Sequence, residues 1–400
     1  MSATLGYITP VRAFSSAGEI YMQAASGRVA EALAKHYEKV YVCARVVHAA
    51  PPAPFDLPLD APNLELIPQP FWSSTARSLL HFFGIAHAYA RTCWRADVLF
   101  VRGMCPYTAI LYFFALLFRK PVCHWIVGDP LALLRTGPRN GSLMDAIAVL
   151  YAFQDRLCTR VGRWLTSGAL ICNGRELALA YASPRTVEIV SSTVEESDFF
   201  HRADTCQGPV VRILFVGFLR PEKGIEYLLE AVSLLPEEVP WELEIAGPRE
   251  FLGYCEKLHV LASARGIDER IRWTGYVPNG KALFERMRAA DIFVLPTLSE
   301  GTPHVLVEAR ANGLPCISTT AGGVPSTVTH GYDALLVLPK DARDLARAIE
   351  RVASEAGLRR ALIRNGLNAA RKQTLGHFIA AVRRELNPNV PAGSSAVAQE

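Results

Sequence analysis

The chain has 400 residues, half of them hydrophobic and 20% charged, and carries 42 Lys and Arg against 38 Asp and Glu. Such a composition excludes an intrinsically disordered protein, and the length predicts two or three domains with large cores. The nine cysteines are scattered without a C-x-x-C pair, which favours reduced, buried thiols of a cytosolic protein over a zinc site. We expect no signal peptide, because residues 1–10 lack a cationic start followed by an apolar run.

Strand-like and helix-like segments alternate along the whole chain. In the first half, strands are predicted at residues 5–9, 39–47, 64–68, 97–102, 121–127, 169–172 and 187–191, with helices at 19–36, 75–94 and 142–165. The second half repeats the scheme, with strands at residues 212–216, 242–246, 271–274, 291–295, 316–319 and 334–338. This alternation predicts parallel sheets with helices on both faces. Two series of similar size predict an α/β protein with two Rossmann-like domains facing a central cleft.

We expect the boundary between the two domains near residues 201–209, a polar stretch between a loop and a new strand. The N-terminal domain would then cover residues 1–200 and the C-terminal domain residues 201–374. Residues 387–400 combine Pro, Gly, Ser and Ala without periodicity, which predicts a disordered tail.

Positive charge is concentrated in the first half. Residues 1–190 contain 18 Lys and Arg and 12 Asp and Glu, whereas residues 191–400 contain 24 and 26. The longest apolar run, residues 109–118, is too short for a bilayer, which requires about 20 residues, so it predicts a buried helix or one that touches a membrane surface. A basic domain that also contains Phe82, Phe83 and Trp94 is suited to contact with anionic lipid. No nucleic-acid-binding motif is visible.

Two carboxylates, Glu300 and Glu308, flank a predicted helix start in the second half. Thr302 suits the N-cap and Pro303 the first helical position, which places Glu300 in the preceding loop and Glu308 in the second turn. The free N–H groups of such a helix start attract anions, phosphates above all. Acidic side chains at this place can also simply complement the helix dipole.

A cationic loop follows the first strand of the second half. Residues 211–217 form a β-branched run that ends at Gly217, and Arg220 and Lys223 follow in the sequence Arg-Pro-Glu-Lys-Gly. The loop joins a strand to a helix, where doubly wound proteins gather ligand groups. An Arg fork and a Lys point charge both suit phosphate oxygens, although cations on surface loops are often only solvated. The cationic loop and the helix start together favour one shared site.

These two motifs, followed in order by Gly322-Gly323-Val324-Pro325, resemble the retaining nucleotide-sugar glycosyltransferases of family four, which have the GT-B fold. The resemblance is specific over about residues 205–350 and weaker over the first half. It implies that Arg220 and Lys223 hold the donor diphosphate, that Glu308 accepts hydrogen bonds from the ribose, and that Glu300 contacts the transferred sugar. It further implies a sugar and phosphate pocket lined by the backbone of Thr302, Pro303, His304, Val305 and Leu306. The nucleobase would meet the loop after strand 271–274, at Gly275, Tyr276 and Val277.

The first half contains weaker indications. Gly18, after the first strand, is by itself a turn residue that allows close approach of the backbone to a ligand. The resemblance implies that a helix-opening loop here contributes donor and acceptor contacts, and that a His or Asp near the reacting sugar follows strand 121–127. Asp129 is the first candidate for that position and His124 the second. The resemblance also implies that a helix at residues 375–386 crosses back onto the first domain.

The sequence departs from the family pattern at two places. Ser326 stands where relatives often have Glu, which puts a sugar-hydroxyl contact in question. Ser191-Ser192-Thr193 stands where an Asn-Gly pair is common, which puts an interdomain loop in question.

The resemblance implies transfer of a hexose-type sugar from a nucleoside-diphosphate sugar to a sugar or lipid-linked acceptor, with retention at the anomeric carbon. Its catalytic residues would be Glu300, Arg220, Lys223 and Asp129. No Asp-x-Asp pair is present to hold a metal, so we expect neither a metal nor a cofactor beside the donor substrate. The expected partners are the donor, the acceptor and a membrane surface on the cytoplasmic side, without nucleic acid.

Two alternatives stay open. A nucleotide-sugar epimerase of similar two-domain form would release an altered sugar without an acceptor. An inactive nucleotide-sugar binder would act as a scaffold in an assembly complex, although the intact set of Arg220, Lys223, Glu300 and Glu308 argues against it.

Overall fold

The computed structural model describes residues 3–52, 55–73, 77–128, 131, 143–249 and 251–386, with only the backbone described at 143–145. The predicted tail at 387–400 therefore lies outside the described residues, as does Asp129. None of the described helices is long and apolar enough to cross a membrane. All nine cysteines are free thiols, and most of them are buried.

The first sheet is built from the N-terminal half. Its strands are β1 (Thr4–Ser16), β2 (Glu19–Met22), β3 (Lys39–Val47), β4 (Leu57–Pro58), β5 (Leu64–Gln69), β6 (Val98–Arg102), β7 (Val122–Ile126), β8 (Ala169–Asn173) and β9 (Thr186–Ile189). Seven of them run parallel in the order β5-β3-β1-β6-β7-β8-β9, and β2 and β4 add an antiparallel extension to β1. The helices of this half are α1 (Ala24–Ala34), α2 (Phe82–Arg95), α3 (Thr108–Leu117), α4 (Leu143–Leu165) and α5 (Arg175–Ala180).

The starts of two predicted helices are wrong. The helix predicted at residues 75–94 begins with the 3-10 helix Arg77–His81, and α2 follows only from Phe82. The helix predicted at residues 19–36 begins only at Ala24, because residues 19–22 form β2 and pair with the end of β1. The connecting turn consists of Ala17 and Gly18, both with positive φ (52° and 86°), the conformation that a two-residue hairpin of right-handed twist requires. Gly18 therefore lies at an exposed hairpin turn and does not open a helix.

The second sheet is fully parallel and has the order of a dinucleotide-binding fold. Its order is β12-β11-β10-β13-β14-β15, from the strands β10 (Val211–Val216), β11 (Trp241–Ala246), β12 (Ile271–Gly275), β13 (Ile292–Leu295), β14 (Cys316–Thr319) and β15 (Leu335–Val337). From β10 the chain first adds β11 and β12 on one side of the sheet and then β13, β14 and β15 on the other, so the strand order reverses between β10 and β13. The helices are α6 (Ile225–Ser233), α7 (Leu252–Ala264), α8 (Lys281–Ala289), α9 (His304–Ala311), α10 (Val324–Thr327), α11 (Ala342–Ser354) and α12 (Ala356–Arg371).

The last described helix, α13 (Leu375–Leu386), returns to the first sheet. It packs against α1 and against strands β6 to β8. The Phe378 ring lies 4.6 Å from the Trp125 ring in the buried core of that sheet. The chain is thus an α/β protein with two Rossmann-like sheets, as the sequence predicts. The boundaries at residues 200 and 374 stay predictions.

Candidate functional site

The site lies at the carboxyl ends of the neighbouring strands β10 and β13, where the strand order of the second sheet reverses. Neighbouring loops diverge at such a point and leave a crevice for a ligand. The loop after β10 is joined to the loop after β13 by one carbonyl: Glu222 O accepts hydrogen bonds from Leu298 N (2.8 Å), Ser299 N (3.3 Å) and Thr297 Oγ1 (3.0 Å). Gly224 has φ 64°, and a Cβ there would collide with Pro296 O.

Within this crevice, the Lys223 ammonium donates a hydrogen bond to the Glu300 carboxylate. Both side chains are mostly buried, with 17% and 16% exposed. The structure thus brings into contact two residues that the sequence placed in separate motifs. A shielded ion pair of this kind holds both groups in place before a ligand arrives.

Arg220 lies on the same loop as Lys223 and is more exposed. Its guanidinium stands 5.0 Å from the centre of the Phe218 ring and 3.7 Å from Glu222 Oε1. Gly217, at the end of β10, donates its N–H to Ala246 O (3.0 Å), and a Cβ at Gly247 would collide with the Gly217 carbonyl. The start of the loop is therefore a place of close backbone packing.

The loop that carries Glu300 rests on the Gly322-Gly323 pair. Gly323 N donates to Glu300 O (3.0 Å), and a Cβ at Gly322 or Gly323 would collide with the carbonyl of Glu300 or Gly301. On its other side the loop approaches the first sheet, since a Cβ at Gly301 would lie 3.5 Å from Val127 O. The sequence candidate Asp129 follows Val127 by two positions but lies outside the described residues.

Helix α9 starts one residue later than the sequence suggests. Pro303, not Thr302, is the N-cap, because Pro303 has an extended backbone (φ −76°, ψ 98°) and its carbonyl accepts a hydrogen bond from Leu306 N (3.1 Å). His304 and Val305 are the first helical residues, so their amides have no acceptor within the helix. The Thr302 hydroxyl is buried without a hydrogen-bond partner among the described residues.

Glu308 is buried where the two halves of the chain meet. Its Oε1 accepts hydrogen bonds from Asn279 Nδ2 (2.8 Å) and Thr193 Oγ1 (3.2 Å), and burial raises the pKa of the carboxyl. The carbonyl of Thr193 in turn accepts a hydrogen bond from Arg28 Nη1 (3.0 Å), and Arg28 also pairs with Asp198 at 3.7 Å. The sequence did not indicate Asn279 or Arg28, and it indicated Thr193 only as part of an interdomain loop, because the three come from distant segments without a shared motif.

A second group of polar residues meets at the carboxyl end of β6, the corresponding reversal point of the first sheet. The buried Arg102 guanidinium lies 5.1 Å from the Trp125 ring centre and donates to Ser26 Oγ, while its Nε has no partner among the described residues. Its charge acts on His304, the first residue of α9, whose Nδ1 is enclosed and has no partner in the described part of the chain. Burial, with a smaller effect of Arg102, lowers the pKa of His304 to about 4, so the imidazole is neutral at neutral pH.

Other sequence candidates have structural partners. His124 is a buried core residue whose Nδ1 lies 3.1 Å from the Tyr112 hydroxyl and whose Nε2 lies 2.8 Å from Gly103 O. The Tyr276 hydroxyl donates to Asp56 Oδ1 of the first half (2.9 Å), and the neighbouring Val277 packs against the second core.

The two departures from the family pattern lie at the junction of the two halves. Ser326 Oγ accepts a hydrogen bond from Arg175 N (3.0 Å), which caps the start of α5. Ser191 N donates to Asn173 Oδ1 (3.0 Å) at the end of β8. Ser326 thus makes a contact between the two halves, and Ser191 makes one beside the junction.

The C-terminal half matches a known family. Residues 200–369 match the model of glycosyl transferases group 1. The chain is 33% identical over 171 residues to the uncharacterized glycosyltransferase MJ1607 of Methanocaldococcus jannaschii, covering 43% of each chain. It is 27% identical over 219 residues to the lipopolysaccharide core biosynthesis glycosyltransferase LpsE of Rhizobium meliloti, covering 52% of this chain and 60% of that one. The chain thus matches less than two thirds of the length of each of these relatives.

Solved structures resemble the chain over nearly its whole length. Sucrose-phosphate synthase of Thermosynechococcus elongatus superposes with a TM-score of 0.72 at 15% identity, covering 97% of this chain and 100% of that one. HepE of Anabaena, solved with UDP and glucose, gives 0.67 at 15% identity, covering 96% and 100%. The fold defines the class: this is a GT-B protein, which confirms the fold expected from the sequence. Within that fold, residues 200–369 are similar to the group 1 glycosyl transferases.

Replacement of Gly224 by Ala should open the crevice. The added Cβ collides with Pro296 O, so the loops after β10 and β13 must separate and Lys223 must leave Glu300. Gly266→Ala is the matched control, since Gly266 has φ 65° and open space around its Cβ position. We expect the control to lose about 1 kcal/mol of unfolding free energy from backbone strain alone. Gly224→Ala should lose clearly more, measured by urea unfolding. Equal losses would contradict the packing described.

Replacement of Glu308 by Gln should stabilise the protein increasingly as pH rises. The folded-state pKa of Glu308 is raised, so its contribution to stability is present at low pH and is lost as pH rises through that pKa. The unfolding temperature of Glu308→Gln minus that of the wild type should therefore grow as the pH rises above the ordinary carboxyl pKa of 4.5. Glu355→Gln is the control of opposite sign, because the Arg351 partner lowers the pKa of Glu355. Parallel profiles for Glu308→Gln and the wild type would refute the assignment.

Proposed function

We propose that the chain is a retaining glycosyltransferase that moves a hexose-type sugar from a nucleoside-diphosphate sugar to a sugar or lipid-linked acceptor. The observation that carries the proposal is the contact of Lys223 with Glu300 at the reversal point of the second sheet. The family match over residues 200–369 and the fold shared with a protein solved with UDP and glucose support it. The relative named for lipopolysaccharide core biosynthesis supports an acceptor in glycolipid or polysaccharide assembly.

The donor diphosphate would replace Glu300 as the partner of Lys223. A diphosphate carries more charge than a carboxylate, and Arg220 and the first amides of α9 add further attraction to it. Glu300, released from the ammonium, would then accept hydrogen bonds from hydroxyls of the sugar. Lys223 and Glu300 thus pair with each other in the empty site. With the donor bound, Lys223 would pair with the diphosphate and Glu300 with the sugar.

The nucleoside would occupy the region of Glu308. Both hydrogen bonds to Glu308 end on Oε1, from Asn279 and Thr193, so we assign Oε2 to the ribose hydroxyls. A ribose there stabilises the charged carboxylate, which burial disfavours in the empty protein. The backbone of Tyr276 and Val277 would meet the base, and Gly18 would line the opposite side of the cleft.

In the reaction, the bond between the anomeric carbon and the β-phosphate oxygen breaks, and the acceptor oxygen bonds the anomeric carbon on the same face. The departing phosphate takes the acceptor's proton. Negative charge grows on that phosphate, where Lys223, Arg220 and the amides of His304 and Val305 stabilise it, and each such donor typically contributes about 3–4 kcal/mol. We propose that these groups serve in place of a metal, that no further cofactor takes part, and that Asp129 lies near the reacting sugar.

Transfer should be measured with a panel of UDP, GDP, ADP and TDP sugars and with sugar and lipid-linked acceptors. We expect Lys223→Ala to lower kcat by about 100-fold to 1,000-fold, because it removes charge stabilisation that is strongest in the transition state. Arg351→Ala removes an exposed ion pair on α11 and should leave kcat unchanged. Unchanged kcat in Lys223→Ala would refute the assigned role.

The same assay separates the alternatives. Release of an altered sugar without any acceptor would establish an epimerase instead. Tight binding of a nucleotide sugar without turnover on any acceptor would establish a scaffold. Binding itself can be followed by thermal unfolding, since a ligand at about 100 times its Kd stabilises a protein by about 2.7 kcal/mol.

A further inference from the structure

Helix α4 is packed with its small and polar side chains inward and its large apolar side chains outward. Asp155, Thr159 and Gly162 are buried, Thr108 donates to the Asp155 carboxylate, and a Cβ at Gly162 would collide with the Tyr112 ring. On the outer side, seven large apolar side chains are between 46% and 70% exposed: Ile147, Leu150, Phe153, Leu157, Val161, Trp164 and Leu165. At 3.6 residues per turn they share an arc of about 120°.

The neighbouring helices continue this surface. Leu79 and Leu80 just before α2, Phe83 in its first turn, and Phe113 and Leu117 on α3 are each more than half exposed. Helix α3 packs against both α2 and α4, so the three helices cover the same face of the first sheet. We call these twelve side chains the apolar face. Soluble monomers rarely expose an apolar area of this extent, and where they do it marks a binding surface.

The charges around the apolar face favour an anionic partner. Arg102 is buried at the junction of the two halves, and Arg95 pairs with Glu65. The remaining charges of residues 77–128 and 146–165 are seven Lys and Arg but only two Asp. One of these, Asp155, is buried, and the other, Asp97, accepts hydrogen bonds from Thr4. A second copy of this chain would bring like charges together, whereas the head groups of anionic lipid would complement them.

Two exposed tryptophans point to a bilayer as the partner. Trp94 and Trp164, 69% and 70% exposed, lie at the carboxyl ends of α2 and α4. Indole rings favour the boundary between acyl chains and head groups. A helix with a broad apolar face and flanking cations lies in that boundary and does not cross it.

We propose that the apolar face docks on an anionic bilayer, with the α4 axis along the membrane plane. Helices α2 and α4 run antiparallel to the strands that follow them, so they begin at the carboxyl edge of the first sheet, beside the cleft. Docking therefore brings the cleft close to the head groups. This inference deepens the proposed function, because a lipid-linked acceptor would then reach the cleft without leaving the bilayer.

The test is binding of the full chain to vesicles of phosphatidylglycerol and phosphatidylcholine in equal parts, and to vesicles of phosphatidylcholine alone. We expect preference for the anionic vesicles, reduced by salt. Leu150→Glu/Leu157→Glu should lower the partition coefficient at least about tenfold, because it places two charges on the docking surface. The matched control is Leu252→Glu/Val260→Glu, which alters two equally exposed side chains of α7 in the other half and should bind as the wild type does.

Several results would overturn the proposal. They are equal binding of wild type and Leu150→Glu/Leu157→Glu, no binding of the wild type to anionic vesicles, or a dimer in solution that this variant dissociates. Thermal unfolding should show the variant folded, since both positions point outward. The assay needs neither donor nor turnover, so its failure would leave the glycosyltransferase proposal intact. Loss of transfer in Lys223→Ala would likewise leave vesicle binding unchanged.

Discussion

The site depends on one constraint, the close approach of two loops at the point where the second sheet reverses its order. The Glu222 carbonyl and the absent side chain of Gly224 hold the loop after β10 against the loop after β13. Lys223 and Glu300 can then form their ion pair in a shielded crevice. The Gly322-Gly323 pair supports the same arrangement from the other side. Backbone packing thus positions the charges, and the ion pair follows from it.

The junction between the two halves of the chain contains a second group of site residues. Glu308 is held by residues from the segment after β9 and from the loop before α8, and Arg28 of the first half completes the group. Arg102 and His304 interact electrostatically, and each leaves a buried nitrogen unpaired in the described residues. A buried polar atom without a hydrogen-bond partner costs free energy. A ligand or water that supplies the missing hydrogen bond at this place would therefore stabilise the protein. The site is therefore shared between the two sheets.

The first half combines two different surfaces on one sheet. One face of the sheet is closed by α1 and by α13, which returns from the C-terminal end of the chain. The other face is covered by α2, α3 and α4, whose outer side chains are large and apolar. The same sheet thus borders the cleft at one edge and carries the apolar face on one side.

Much of the architecture follows from local sequence pattern. β-Branched runs bounded by Gly and Pro determined the main strands, and the motifs around Lys223 and Glu300 indicated the loops of the site, because both signals act within a few residues. Tertiary structure decided the hairpin at Gly18, the N-cap at Pro303, and the convergence of Arg28, Thr193 and Asn279 on Glu308. It also decided that the apolar side of α4 faces outward. Sequence periodicity predicts that a helix has an apolar stripe, but only tertiary packing determines what covers that stripe.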